Sequence, residues 1–123
     1  MPVSREEQML ELLKALKAEA PAVESAVVVS SDALPLGSDL EGPLDEDAMC
    51  RAVSGLIAAT ERASADLDRG DLQRVYVRAD SGYIVVFQVN RDISLACTVM
   101  VGAAMEETLA RISLCARKLS EVI

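Results

Sequence analysis

Residues 72–101 read LQRVYVRADSGYIVVFQVNRDISLACTVMV, and this stretch decides the fold. Three runs rich in Val, Ile, Tyr and Phe, at 72–79, 83–89 and 93–101, are cut by the turns Asp80-Ser81-Gly82 and Asn90-Arg91-Asp92. Such side chains suit a pleated, half-buried surface, and turns this short join strands only in antiparallel fashion. A three-stranded meander is predicted. Its first strand alternates, with Val75 and Val77 on one side and Arg74, Tyr76 and Arg78 on the other. As the outer strand it would leave a backbone edge open to its own symmetry mate. Its arginine–tyrosine face either shields that edge or docks a partner.

Upstream, 45–68 carries no proline and Gly70 supplies a stop, so the spacing predicts a long helix. Asp45, Glu46 and Asp47 place carboxylates at its positive end. At about 1.5 Å per residue it reaches roughly 36 Å, more than the roughly 19–24 Å spanned by five strands. It can therefore cross a whole sheet. Met49, Val53, Leu56, Ile57, Thr60 and Leu67 form one apolar stripe. Beside it runs a stripe of small residues, Ala48, Ala52, Gly55, Ala59 and Ala63, which leaves only a narrow polar arc with Arg51, Ser54, Glu61 and Arg62. A surface helix in a monomer needs a single apolar stripe about 100° wide. The alanines alone could be solvent-exposed helix formers, but a mid-helix glycine costs about 1 kcal/mol relative to alanine and offers no propensity in return. The expected role of the small stripe is close packing against the same helix of a second copy.

Ahead of this helix, Ser4-Arg5-Glu6-Glu7 reads as a capping box opening a first helix, with Met9, Leu12, Leu13 and Leu16 on one face and an end by Pro21. Ala26-Val27-Val28-Val29 reads as a strand buried on both faces, and 34–37 as a short second strand. Pro35 lacks a ladder donor, so that second strand lies at a sheet edge or holds its proline at a non-paired position. From about 103 to 122 a third helix carries Met105, Leu109, Ile112, Ala116 and Leu119 at helical spacing. The order is α-β-β-α-β-β-β-α, in one domain over residues 1–123.

Composition narrows the chemistry. The chain of 123 residues is 51% hydrophobic, yet Tyr76, Tyr83 and Phe87 are its only aromatics, so Val, Leu, Ile, Ala and Met must build the core. No histidine is present, which removes the commonest general base, the commonest metal ligand and every Ser-His or Cys-His pair. No enzymatic role, no cofactor and no metal are expected. A formal charge of −8 disfavours nucleic acid, whose binding rests on phosphate neutralisation by Lys and Arg. Cys50, Cys97 and Cys115 show no metal-ligand spacing and read as small core residues of a reducing compartment. With no signal-like N-terminus and no apolar run of the ~18 residues a span requires, the expectation is a cytoplasmic protein without direct membrane insertion.

The wording of the chain resembles the roadblock (dynein light chain) family, and within it the bacterial and archaeal regulators of small Ras-like GTPases. The resemblance is carried by 27–36, Val-Val-Val-Ser-Ser-Asp-Ala-Leu-Pro-Leu, and by Ala58-Ala59-Thr60-Glu61-Arg62. Gly70-Asp71-Leu72-Gln73-Arg74-Val75 and Gly82-Tyr83-Ile84-Val85-Val86 add to it. Ala33 departs from the glycine usual in the family's first hairpin, so a strained or altered turn is expected there. The resemblance implies an α/β sandwich: a five-stranded antiparallel sheet with one helix on one face and two on the other. It also implies a homodimer in which edge strands and long helices pair. Ala48, Ala52, Gly55, Ala59, Ala63, Val75 and Val77 are the expected dimer contacts, and Arg51, Arg62, Arg74, Tyr76 and Arg78 the expected partner contacts. The implied function is a non-enzymatic adaptor that binds a Ras-like GTPase and modulates its nucleotide cycle. The alternative is a light-chain-like scaffold subunit of a motor or membrane-associated complex.

Overall fold

Where apolar residues alternate the chain forms strands, and where they recur every three or four residues it forms helices. The computed structural model describes residues 3–123. Met1 and Pro2, the start of the expected single domain, lie outside the described residues. The elements are α1 (Arg5–Glu19), β1 (Val23–Ser30), β2 (Pro35–Asp39), α2 (Glu46–Asp66), β3 (Arg74–Ala79), β4 (Gly82–Asn90), β5 (Ile93–Val99) and α3 (Met105–Val122). The strands form a single sheet in the order β2-β1-β5-β4-β3, and every neighbouring pair is antiparallel. Order and composition of the elements are those read from the sequence.

Alternation along each strand sends side chains to two separate cores. Ala26, Val28, Val85, Phe87, Leu95, Cys97 and Val99 face α1 and α3, where they meet Met9, Leu13, Leu16, Ile112, Cys115 and Leu119. Val27, Val29, Val75, Val86 and Ala96 face the opposite way and meet Met49, Cys50 and Val53 of α2. So two helices cover one face of the sheet and α2 alone covers the other. Ser4 caps α1 by accepting from the Glu7 N–H at 3.1 Å, and Asp45 caps α2 by accepting from the Ala48 N–H at 3.2 Å.

Two details differ from the sequence reading. The second strand starts at Pro35 and runs on to Asp39, leaving Leu34 in the turn and 59% exposed. Pro35 does lie on an edge strand, opposite Val29, where the register with β1 shifts. Leu67 leaves the apolar stripe: α2 ends at Asp66, and Leu67 caps it at 68% exposure. There Asp68 takes a left-handed φ of 57° and Ser64 Oγ donates to the Gly70 carbonyl at 2.7 Å, turning the chain before another helical turn can form. Cys50 is buried, as a small core residue should be. As expected, α2 joins one edge of the sheet, β2, to the other, β3, with its closest backbone approach to β1 and β2. Its buried residues all fall in its first half, and beyond Ile57 only Thr60 and Ser64 are even half-buried.

Two backbone positions are sterically special. Gly82 has φ 145°, and a Cβ there would sit 2.3 Å from the Val99 carbonyl oxygen, so the β3–β4 turn tolerates glycine alone. Ala33 has φ 65°, the left-handed conformation where a family glycine is usual, at a cost of about 1–2 kcal/mol.

Candidate protein–protein interface

The small stripe of α2 lies on the outside of the molecule. Ala52, Gly55, Ala59 and Ala63 are exposed and Ala48 is half-buried. Gly55 has no contact to explain it: a Cβ there would meet nothing within 4 Å, and its φ is not in the left-handed region. Neither packing nor backbone geometry within this chain requires glycine at that position. Arg51 and Arg62 flank the stripe, Arg62 beside Asp66 at 4.0 Å in an exposed pair of little energetic weight.

β3 is an outer strand, as expected, and its phase is fixed by the Gln88 N–H donating to the Gln73 carbonyl at 3.0 Å. In an antiparallel ladder with Val75 opposite Val86 and Val77 opposite Ile84, that bond turns the main-chain groups of 75, 77 and 79 inward. The N–H and C=O groups of Arg74, Tyr76 and Arg78 therefore point to open solvent. Val75 and Val77 turn their side chains into the α2-side core, so what this strand offers an edge partner is backbone.

Arg74, Tyr76 and Arg78 project on the α1/α3 side. The Arg74 guanidinium carbon stands 4.5 Å over the Phe87 ring and that of Arg78 stands 4.9 Å over the Tyr83 ring. Tyr76 meets Phe87 edge-on, with ring centroids 6.1 Å apart. The five expected partner contacts thus do not form one surface. Arg51 and Arg62 belong to α2, whereas Arg74, Tyr76 and Arg78 lie on the opposite sheet face. Tyr83 and Phe87 are partners that the sequence reading passed over. The two-residue turn at Asp80-Ser81 could have found them, because it sets Arg78 opposite Tyr83 and Arg74 opposite Phe87.

The remaining chemistry is quiet. All three cysteines are free and buried. Burial, then the nearby Glu46 and Asp47, raises the Cys50 thiol above its ordinary pKa. Burial lifts Cys97 far above it, with Cys115 adding to the effect. Burial lifts Cys115 to about 11 against the pull of Lys118, and Glu19 adds to the rise. A nucleophilic or metal-binding thiol needs the opposite shift. No cluster of three or more His, Cys, Asp or Glu groups able to hold a metal occurs among the described residues. No described helix is long and apolar enough to cross a membrane.

The Roadblock/LC7 domain model matches residues 9–98. Among solved structures, the gliding protein MglB of Thermus thermophilus is similar with a TM-score of 0.88 at 16% identity, over 99% of this chain and 93% of that one. MglB of Myxococcus xanthus gives 0.89 at 12% identity, over 99% and 92%. A Roadblock/LC7 domain from Streptomyces avermitilis gives 0.84 at 24% identity, over 91% and 94%. These likenesses are ones of fold. No curated protein matches the chain by sequence.

Proposed function

We propose, from the premise that this chain belongs to the Roadblock/LC7 domain family, that it is a non-catalytic homodimeric adaptor whose paired α2 helices hold a small Ras-like GTPase and modulate its nucleotide cycle. The observation that carries the reading is Gly55. A glycine with nothing within 4 Å, midway along an exposed stripe of alanines, is accounted for by a second helix at close range. The open β3 edge supports the same symmetric contact, because an isologous seam brings an edge strand and its adjoining helix face to their own copies. A related solved structure is described as MglB with a tetrameric arrangement, so assembly of this fold beyond one chain has precedent. The GTPase rests on the resemblance to roadblock regulators of such enzymes. A dimer offers a rigid platform, and holding a GTPase's own switch loops in place can alter its rate without a residue donated to the nucleotide.

Size-exclusion chromatography with light scattering tests both halves of the reading. The expected result is a dimer that co-elutes with a Ras-like GTPase of the same organism, loaded either with GDP or with a non-hydrolysable GTP analogue. A monomer at all concentrations overturns the seam. A dimer that retains none of the organism's Ras-like GTPases in either nucleotide state overturns the partner.

A further inference from the structure

All three aromatic residues of the chain, Tyr76, Tyr83 and Phe87, gather on the α1/α3 face of β3 and β4, and the guanidinium carbons of Arg74 and Arg78 stand 4.5 and 4.9 Å over the Phe87 and Tyr83 rings. We propose that this strip, Arg74-Tyr76-Arg78 on its bed of Phe87 and Tyr83, is a docking surface for an extended acidic segment of a partner protein. It lies across the sheet from α2 and draws its binding groups from one chain, so it does not rest on the GTPase reading, and pairing of the β3 edges would set two copies of the strip side by side.

Three features specify the occupant. The first is unspent charge. The ion pairs among the described residues are Lys17–Asp39, Arg62–Asp66 and Arg111–Glu19, so neither Arg74 nor Arg78 has a carboxylate oxygen within 4.0 Å. Two cations on one strand face thus have no paired anion in this structure. The second is preorganisation. A guanidinium laid on an aromatic face is held in a defined plane while most of its five N–H donors stay free. Arg78 spends one donor on the Ala79 carbonyl at 2.6 Å, and Arg74 directs one at the Tyr76 hydroxyl at 3.5 Å. The third is spacing. Residues four apart on one strand face stand about 13 Å apart, the separation of side chains four apart in another extended peptide. Carboxylates at the first and fifth positions of a segment would meet Arg78 and Arg74, and an apolar residue between them would cover Tyr76, which is 49% exposed. Two carboxylates suffer far less repulsion from the acidic chain than the dense phosphates of a nucleic acid.

Fluorescence anisotropy of the full chain with a labelled Gly-Glu-Thr-Leu-Thr-Glu-Gly peptide tests this, with the Gln-for-Glu peptide as the uncharged control. The acidic peptide should bind and the control should not. R74Q/R78Q should weaken binding at least about tenfold, as expected for two charge-assisted contacts. R74K/R78K should fall between it and the unaltered chain, because charge is kept and the planar fork is lost. Arg91→Gln, in the exposed turn between β4 and β5, should bind as the unaltered chain does. Should R74Q/R78Q lose its fold by circular dichroism, Arg78→Gln alone, which leaves the Arg74–Phe87 stack intact, should still weaken binding about threefold. No binding of the acidic peptide, equal binding by the folded Gln variant, or tighter binding of a single-stranded DNA ten-mer would overturn the proposal.

Discussion

The two faces of the sheet are built to different standards. On the α1/α3 face, Leu13, Leu95, Ile112 and Leu119 are completely buried, and two helices close over the strands. On the α2 face one helix buries Met49, Cys50 and Val53 and then runs on with its second half exposed. The first face is finished within a single chain, with large interlocking aliphatics. The second is finished only in its first half, and beyond it presents residues too small to interlock within this chain. On the proposed reading, stability and assembly fall to opposite sides of one sheet, and substitutions on the two sides should behave differently.

The largest effect is expected on the finished face. Leu119→Ala removes a fully buried side chain and should cost about 2–5 kcal/mol of unfolding free energy. Urea denaturation should show the loss equally at every protein concentration. Concentration dependence would mean that this face, too, is shared between copies. Next comes Ala59→Arg on the unfinished face. Two long cations brought into a symmetric seam should loosen the dimer roughly a hundredfold, about 2.7 kcal/mol, and leave a folded monomer by light scattering. An unchanged dimer would remove the small stripe from the interface.

The thiols give a smaller, pH-linked difference. Cys97 and Cys115 lie in the core of the finished face, and both are held protonated by burial when folded. Their folded values lie above those of the unfolded chain, so their contribution is intact below about pH 8.5 and declines as pH rises toward 11. The Cys97→Ala and Cys115→Ala double variant, less stable throughout, should lose less stability between pH 8.5 and 11. Parallel pH curves would show that other groups control the decline. The smallest effect is the sharpest in sign. Gly55→Ala should stabilise a monomeric Ala59→Arg background by about 1 kcal/mol through helix propensity. In the otherwise unaltered chain the same change should weaken the dimer. Stabilisation in both would leave Gly55 without a seam to serve.

Much of this was legible in the sequence because periodicity and turns are local. The meander followed from two short turns, and the burial of Ala26-Val27-Val28-Val29 on both faces from an unbroken apolar run. The small residues Ala52, Gly55, Ala59 and Ala63, spare to the apolar stripe in the sequence, are exposed in the fold. The misreadings all needed tertiary information. Leu67 has the spacing of a core residue, but whether a helix gains one more turn depended on Asp68 and on the Ser64–Gly70 hydrogen bond beyond it. Arg74 and Arg78 were recognised as a pair, but their aromatic beds sit on another strand, visible only once residues are counted across the hairpin.

A sheet has two ends, and in this one they are unequal. β2 carries Pro35 and an interrupted register against β1, which spoils it as a template, whereas β3 presents an unbroken row of free donors and acceptors. A building block with two usable edges adds copies without limit, whereas a block with one can be extended only once. In the proposed dimer, pairing through β3 would consume the sole good edge of each copy and leave a poor one at either extremity. The proline at the far side of the molecule would then act as a chain terminator, limiting the sheets joined edge to edge to two.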